Sequence, residues 1–99
     1  MNAYAASETI TDRKITKITL YTEASTISDV LVHFSPAYTN TQNCGGEDYI
    51  VRIHIDVAVF DAIYSSLLAA SVAGKLVSFG INGCSGDNPL IYRVEIKTP

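Results

Sequence analysis

The sequence predicts a small, mainly β domain of five strands with one helix between the third and the fourth. Three observations carry that expectation. Residues 49–57 give the clearest alternation in the chain, with Tyr49, Val51, Ile53, Ile55 and Val57 on one face and Arg52, His54 and Asp56 on the other. Phe60, Ile63, Tyr64, Leu67, Leu68 and Ser71 repeat at the 3.6-residue period of a core-facing helix. The other apolar runs are short and β-branched, and polar turn residues with Gly or Pro bound them.

Taken in order, residues 1–12 are small and polar and read as a flexible or edge-pairing arm. Residues 14–21 (Lys-Ile-Thr-Lys-Ile-Thr-Leu-Tyr) form a first strand, and residues 22–28 a polar turn. Val30, Val32 and Phe34 alternate with Leu31 and His33 in a second strand, which Ser35 and Pro36 stop. A long polar loop, residues 35–48, precedes the third strand at 49–57. Gly74 ends the helix, because glycine tolerates the left-handed conformation of a helix C-terminus at little cost. Val77, Phe79 and Ile81 make a fourth strand, residues 82–89 a turn, and residues 91–97 a fifth strand. The whole chain, 1–99, is thus one domain in the order β-β-β-α-β-β. That is the arrangement of a five-stranded OB-fold barrel; an open α+β sheet is the alternative.

Composition narrows the function classes. Apolar residues make up 47% of the 99 residues and charged residues 17%, below the globular average of about 25%. The net charge is −3, and seven Lys plus Arg spread along the chain form no basic stripe, which argues against a nucleic-acid partner. No apolar run reaches the roughly 18 residues of a membrane span, so no membrane insertion is expected. Low charge in so apolar a chain hints that another chain covers part of its surface. Cys44 and Cys84 sit in loop-like contexts, Asn-Cys-Gly-Gly and Gly-Cys-Ser-Gly, with no metal-type spacing around them. A disulfide between them is the favoured reading over two free thiols, and it implies an oxidising compartment. The first residues, Met-Asn-Ala-Tyr-Ala-Ala, have neither a charged nor an apolar leader region. The expectation is a mature secreted or periplasmic protein whose signal has been removed.

The helix has a second face. Ala58, Ala62, Ser66, Ala69 and Ala73 fall within an arc of about 80°, and Asp61 is the only charged residue from 57 to 74. One reading is a helix–helix contact between subunits of a homo-oligomer. The other is a surface helix filled with alanine because alanine is the best helix former.

No catalytic constellation stands out, so neither enzyme activity nor a cofactor is expected. His33, His54 and Asp56 could form a weak metal site, but ordinary surface histidines are the stronger reading and no metal is expected. Glu47 and Asp48 are adjacent in a loop and do not converge as paired catalytic acids must. Gly45-Gly46 is too short for a phosphate cradle, and no GxGxxG or Walker pattern occurs. The loop Tyr38-Thr-Asn-Thr-Gln-Asn is different. Its amides and hydroxyls beside an aromatic ring suit a neutral polyhydroxyl ligand, although ordinary loops share that composition. OB barrels bind oligosaccharides or oligonucleotides, and the acidic charge turns the choice toward sugar.

Residues 60–77 (Phe-Asp-Ala-Ile-Tyr-Ser-Ser-Leu-Leu-Ala-Ala-Ser-Val-Ala-Gly-Lys-Leu-Val), followed by a strand ending Asn82-Gly83-Cys84, resemble the helix–strand unit of small secreted bacterial OB-fold proteins. Among these are the B subunits of subtilase-cytotoxin-like and pertussis-like AB toxins. The resemblance covers roughly residues 49–96. It implies a homo-oligomer, a pentamer foremost, that binds host glycans, often sialylated, and carries an enzymatic A subunit. In that family a sugar-binding serine precedes the first strand, where this chain has Thr11, Asp12 and Arg13. The loop after the second strand contributes as well, here Tyr38, Asn40 and Gln42. Cys44 and Cys84 do not match the family's bridges. The resulting expectation is a secreted, oligomeric, lectin-like domain of toxin B-subunit type. A secreted structural or protein-interaction module without glycan binding is the other reading.

Overall fold

A computed structural model describes residues 7–54 and 60–97. The chain is mainly β with one helix, in the order β1 (Glu8–Glu23), β2 (Thr26–Ser35), β3 (Ile50–Ile53), α1 (Phe60–Ala73), β4 (Leu76–Ser85) and β5 (Asn88–Ile96). The strands pair in the circuit β1-β2-β3-β5-β4, and β4 returns to β1 to close a barrel. Spatial order departs from chain order at one place, where β5 rather than β4 lies beside β3. That junction is parallel and rests on the pair Arg52↔Leu90. Parallel neighbours cannot be joined by a tight turn, and here the connecting chain runs through α1 and β4.

The interior takes the inward residues of every strand, among them Ile10, Val30, Val32, Val51, Ile53, Val77, Phe79 and Ile81, all buried. Leu67 and Ala70 of α1 complete the core, and Phe60, Ile63 and Tyr64 pack against it. The helix is therefore rotated from the stripe read in the sequence. Leu68, expected to face inward, is 39% exposed, and Ala70 takes a buried place. The positions that touch the core, 60, 63, 64, 67 and 70, lie at offsets 0, 3, 4, 7 and 10, a helical face. Gly74 ends the helix at φ 68°. Its N–H donates to the Ser71 carbonyl and the Lys75 N–H to the Ala70 carbonyl, the paired bonds of a Schellman cap.

Strand boundaries differ from the sequence reading for local reasons. β1 starts at Glu8, so part of the arm is strand, and Glu8, Thr9 and Ile10 pair with Ile81, Gly80 and Phe79 of β4. A register shift between Ile10 and Arg13, with Asp12 at φ 52°, breaks the alternation there. The turn expected over 22–28 is only Ala24-Ser25, at φ 51° and 69°, the two left-handed residues of a tight hairpin. β3 is short. Ile55, Asp56, Val57 and Ala58, to which the sequence assigned roles, lie outside the described residues.

Gly80 shows how closely the layers approach. A Cβ there would lie 2.9 Å from the Arg93 Cβ. With no side chain in its way, Arg93 crosses β4, donates to Thr9 Oγ1 on β1 at 2.6 Å and pairs with Glu95 at 2.7 Å.

Candidate functional site

The chain leaves β2 through a cis peptide between Ser35 and Pro36, and residues 36–49 form the long loop that returns to β3. Its two limbs are zipped together. The Phe34 N–H donates to the Tyr49 carbonyl at 2.9 Å, and the Tyr38 N–H to the Asp48 carbonyl at 2.7 Å. Within the loop, Asn40 Oδ1 accepts from the Gln42 N–H at 2.9 Å, the local turn that asparagine favours.

Glu8 holds this loop to β1. One carboxylate oxygen accepts from the Thr41 N–H and hydroxyl, both at 2.7 Å, and from Gln42 Nε2 at 2.8 Å. The other accepts from the Tyr38 hydroxyl at 3.1 Å. Burial pushes the Glu8 carboxyl up, but the hydrogen bonds from the Thr41 and Gln42 side chains, the Thr41 backbone and Tyr38 outweigh it, and the group titrates below its usual value. The Tyr38 hydroxyl is raised in turn, first by its bond to Glu8 and then by burial. Gln42, only 7% exposed, carries the tie across to β4: its Oε1 accepts from the Gly83 N–H at 2.8 Å. Next to it, the disulfide Cys44–Cys84 covalently joins the loop to the end of β4.

The Glu8 tie gives a prediction. A carboxylate held below its unfolded value contributes stability that is fully present above that value and is lost as pH falls through the lowered folded one. Glu8→Gln is expected to lower stability at neutral pH by about 1–3 kcal/mol, the scale of hydrogen bonds to a charged acceptor. It should also flatten the part of the acid-side decline that Glu8 causes. Urea midpoints for both proteins between neutral pH and pH 3 check this. Parallel pH profiles would refute the assignment.

The structure brings the two halves of the predicted sugar site together, although most of their polar groups already have partners. Arg13 lies over the Tyr38 ring, 5.7 Å from its centroid, and donates to the Pro36 carbonyl at 2.7 Å and the Thr11 carbonyl at 2.5 Å. The Asp12 N–H donates to Ser78 Oγ, and its carboxylate pairs with Lys97 at 3.2 Å. Gln42 is buried beneath the loop, with its amide engaged on both sides. Of the six named residues, Asn40 lines the cavity beside this loop.

That cavity, about 200 Å³, lies between residues 39–48 of the loop and the β4–β5 turn. Asn40, Asn43, Glu47 and Asp48 line it on the loop side, and Asp87 and Pro89 face them across it. Gly46 is required at its base, because a Cβ there would collide with the Asp87 carbonyl. Thr39 Oγ1 donates to Asp48 Oδ2 at 3.3 Å. Arg52 of β3 braces the turn behind, donating to Asn88 Oδ1 at 3.1 Å and pairing with Asp29 at 3.4 Å. The lining offers amides and carboxylates around a small volume, a set suited to hydroxyl groups. Sequence reading missed Glu8 as the hub and Asp87 as the opposite wall. Nothing in the local pattern marks either, since both act through residues 30 or more positions away.

Of the helix face, Ala62 and Ser66 line a second groove of about 280 Å³ against Tyr92, Val94 and Ile96 of β5. Ala69 and Ala73 are exposed, beside Val72 at 88%. His33 lies against Tyr49, its imidazole pushed down by burial and then by the nearby Lys17. Among the described residues no group of three His, Cys, Asp or Glu could hold a metal ion, and no helix is long and apolar enough to cross a membrane. Disulfides persist in oxidising compartments, so the bridge argues for a location outside the reducing cytosol. No protein-family model matches the chain, and no curated protein matches it.

Proposed function

We propose that this chain is an exported OB-type barrel that binds carbohydrate in the cavity between the 39–48 loop and the β4–β5 turn. It would act as a self-associating domain of toxin B-subunit type. The observation that carries the reading is a polar cavity whose wall is ordered before any ligand arrives. Glu8 and Gln42 hold the loop from below, and Cys44–Cys84 ties it to β4. Binding groups fixed in advance do not have to be ordered on binding, which is how a small polar site gains useful affinity. The closed strand circuit supports the fold assignment, and OB barrels bind through the loop between their last two strands, the one that contributes Asp87. Self-association rests on the exposed Leu68, Ala69, Val72 and Ala73 of a nearly uncharged helix. A ring of such copies, five in the family it resembles, would multiply weak single-site binding to host glycans and offer a platform to an enzymatic subunit.

The test is a glycan array probed with the purified chain and with Asn43→Ala. The expected outcome is a restricted set of hits that the variant loses while keeping its melting temperature. An array blank at high protein concentration would leave the protein-interaction reading in its place.

A further inference from the structure

We infer that the cavity beneath the loop discriminates by charge, taking amine-bearing sugars best, neutral sugars next, and sialylated or other anionic sugars least. The inference rests on the carbohydrate-binding reading above and specifies its ligand. Three of the lining side chains are carboxylates, Glu47 and Asp48 from the loop and Asp87 from the facing turn, and the lining contains no lysine, arginine or histidine. The arginines of the neighbouring elements are engaged elsewhere. Arg13 is bound to the Pro36 and Thr11 carbonyls beside Tyr38, and Arg52 to Asn88 and Asp29. An anionic sugar would bring its own carboxylate against three others with no cation to offset them.

Size and shape agree with this. At about 200 Å³ the cavity is smaller than the roughly 300–1,000 Å³ of drug-sized pockets, so it takes one terminal ring rather than an extended chain. The carboxylates come from opposite walls, and no three groups converge as metal ligands among the described residues. Coming from two different elements, they can meet separate substituents of one ring. Asn40 and Asn43 supply donors and acceptors for its hydroxyls, and an exocyclic ammonium would lie in the negative potential between Glu47 and Asp87. Rejection of the wrong charge is as effective a source of specificity as attraction of the right one.

The experiment is ligand-observed NMR titration with methyl glycosides of galactosamine, galactose and N-acetylneuraminic acid. The proteins are the wild type and a double variant, Glu47→Gln with Asp87→Asn, two exposed side chains whose replacement is checked by an unchanged melting curve. The amine is expected to bind about tenfold more tightly than the neutral sugar, the scale of one charge pair in partly screened surroundings. That preference should shrink with added salt and vanish in the double variant. N-acetylneuraminate should give no response with the wild type. Binding of N-acetylneuraminate equal to or tighter than that of galactose would overturn the charge inference and leave sugar binding intact. A preference for the amine that survives in the double variant would overturn it too. Silence from all three glycosides, together with a blank array, would remove both.

Discussion

Replacing Cys44 and Cys84 together by serine is expected to cost about 4 kcal/mol of unfolding free energy. The bridge closes a loop of 40 residues in sequence separation, and in the chain-entropy model a loop of that length restricts the unfolded ensemble by about that amount. A 99-residue domain has on the order of 5–15 kcal/mol in all. Each kcal/mol shifts the melting temperature of a domain this size by roughly 4–8 °C, so a fall of about 15–30 °C should appear in a thermal scan of the double variant. The cavity should suffer before the barrel does. Gly45 and Gly46 line it immediately after Cys44, and without the bridge the hydrogen bond from the Gly83 N–H to Gln42 Oε1 still ties the loop to β4. A loss below about 1 kcal/mol would mean that these polar contacts suffice to hold the loop.

The bridge and the Glu8 cluster act on one loop from two sides, so their effects should not add. Once either is gone, the loop gains freedom that the other no longer restrains, and contacts sharing a segment couple in this way. The cluster also explains why Tyr38 and Gln42 looked like ligand groups in the sequence. Amides, hydroxyls and an aromatic ring beside one another serve a half-buried carboxylate as well as they serve a sugar. Only the placement of Glu8, 30 or more residues earlier in the chain, separates the two uses.

What could be read in the sequence was whatever a local period or a local turn residue encodes. The alternation of Val30, Val32 and Phe34, the glycine cap at 74 and the polar loop around Cys44 each act within a few residues. Each appears in the structure where it was expected, whereas Cys84, expected in a turn over 82–89, lies in β4. The start of β1 was hidden because Asp12, at positive φ, shifts the register there and makes Glu8, Thr9 and Ile10 look like a polar arm. The helix was correct in place but rotated, because periodicity finds an apolar stripe without saying which part of it meets the barrel. Ala70, a small residue in contact with the core, and Leu68, a large one outside it, reverse the order that hydrophobicity alone suggests. The cavity was half visible: its loop wall has a telling composition, but Asp87 reaches it only through the pairing of β4 with β5.

Phe79→Ala should be the most damaging single substitution in the interior, at about 3–5 kcal/mol. Phe79 is wholly buried on β4, its ring centroid 5.6 Å from that of Phe34 on β2. β2 and β4 do not pair with each other but both flank β1, so the ring contact links them across the inside of the sheet. Truncation leaves a void that a closed sheet fills poorly, since its strands cannot move inward without breaking ladder bonds on both sides. The urea midpoint should therefore fall with little change in the slope of the transition. Val72→Ala is the control. Its side chain is 88% exposed, so in dilute chains its effect should stay within about 0.5 kcal/mol, even though it removes two methyl groups from an apolar residue. If Phe79→Ala cost less than about 2 kcal/mol, the barrel would be relaxing around the void. The Phe34–Phe79 contact could not then be what holds β2 and β4 at their spacing.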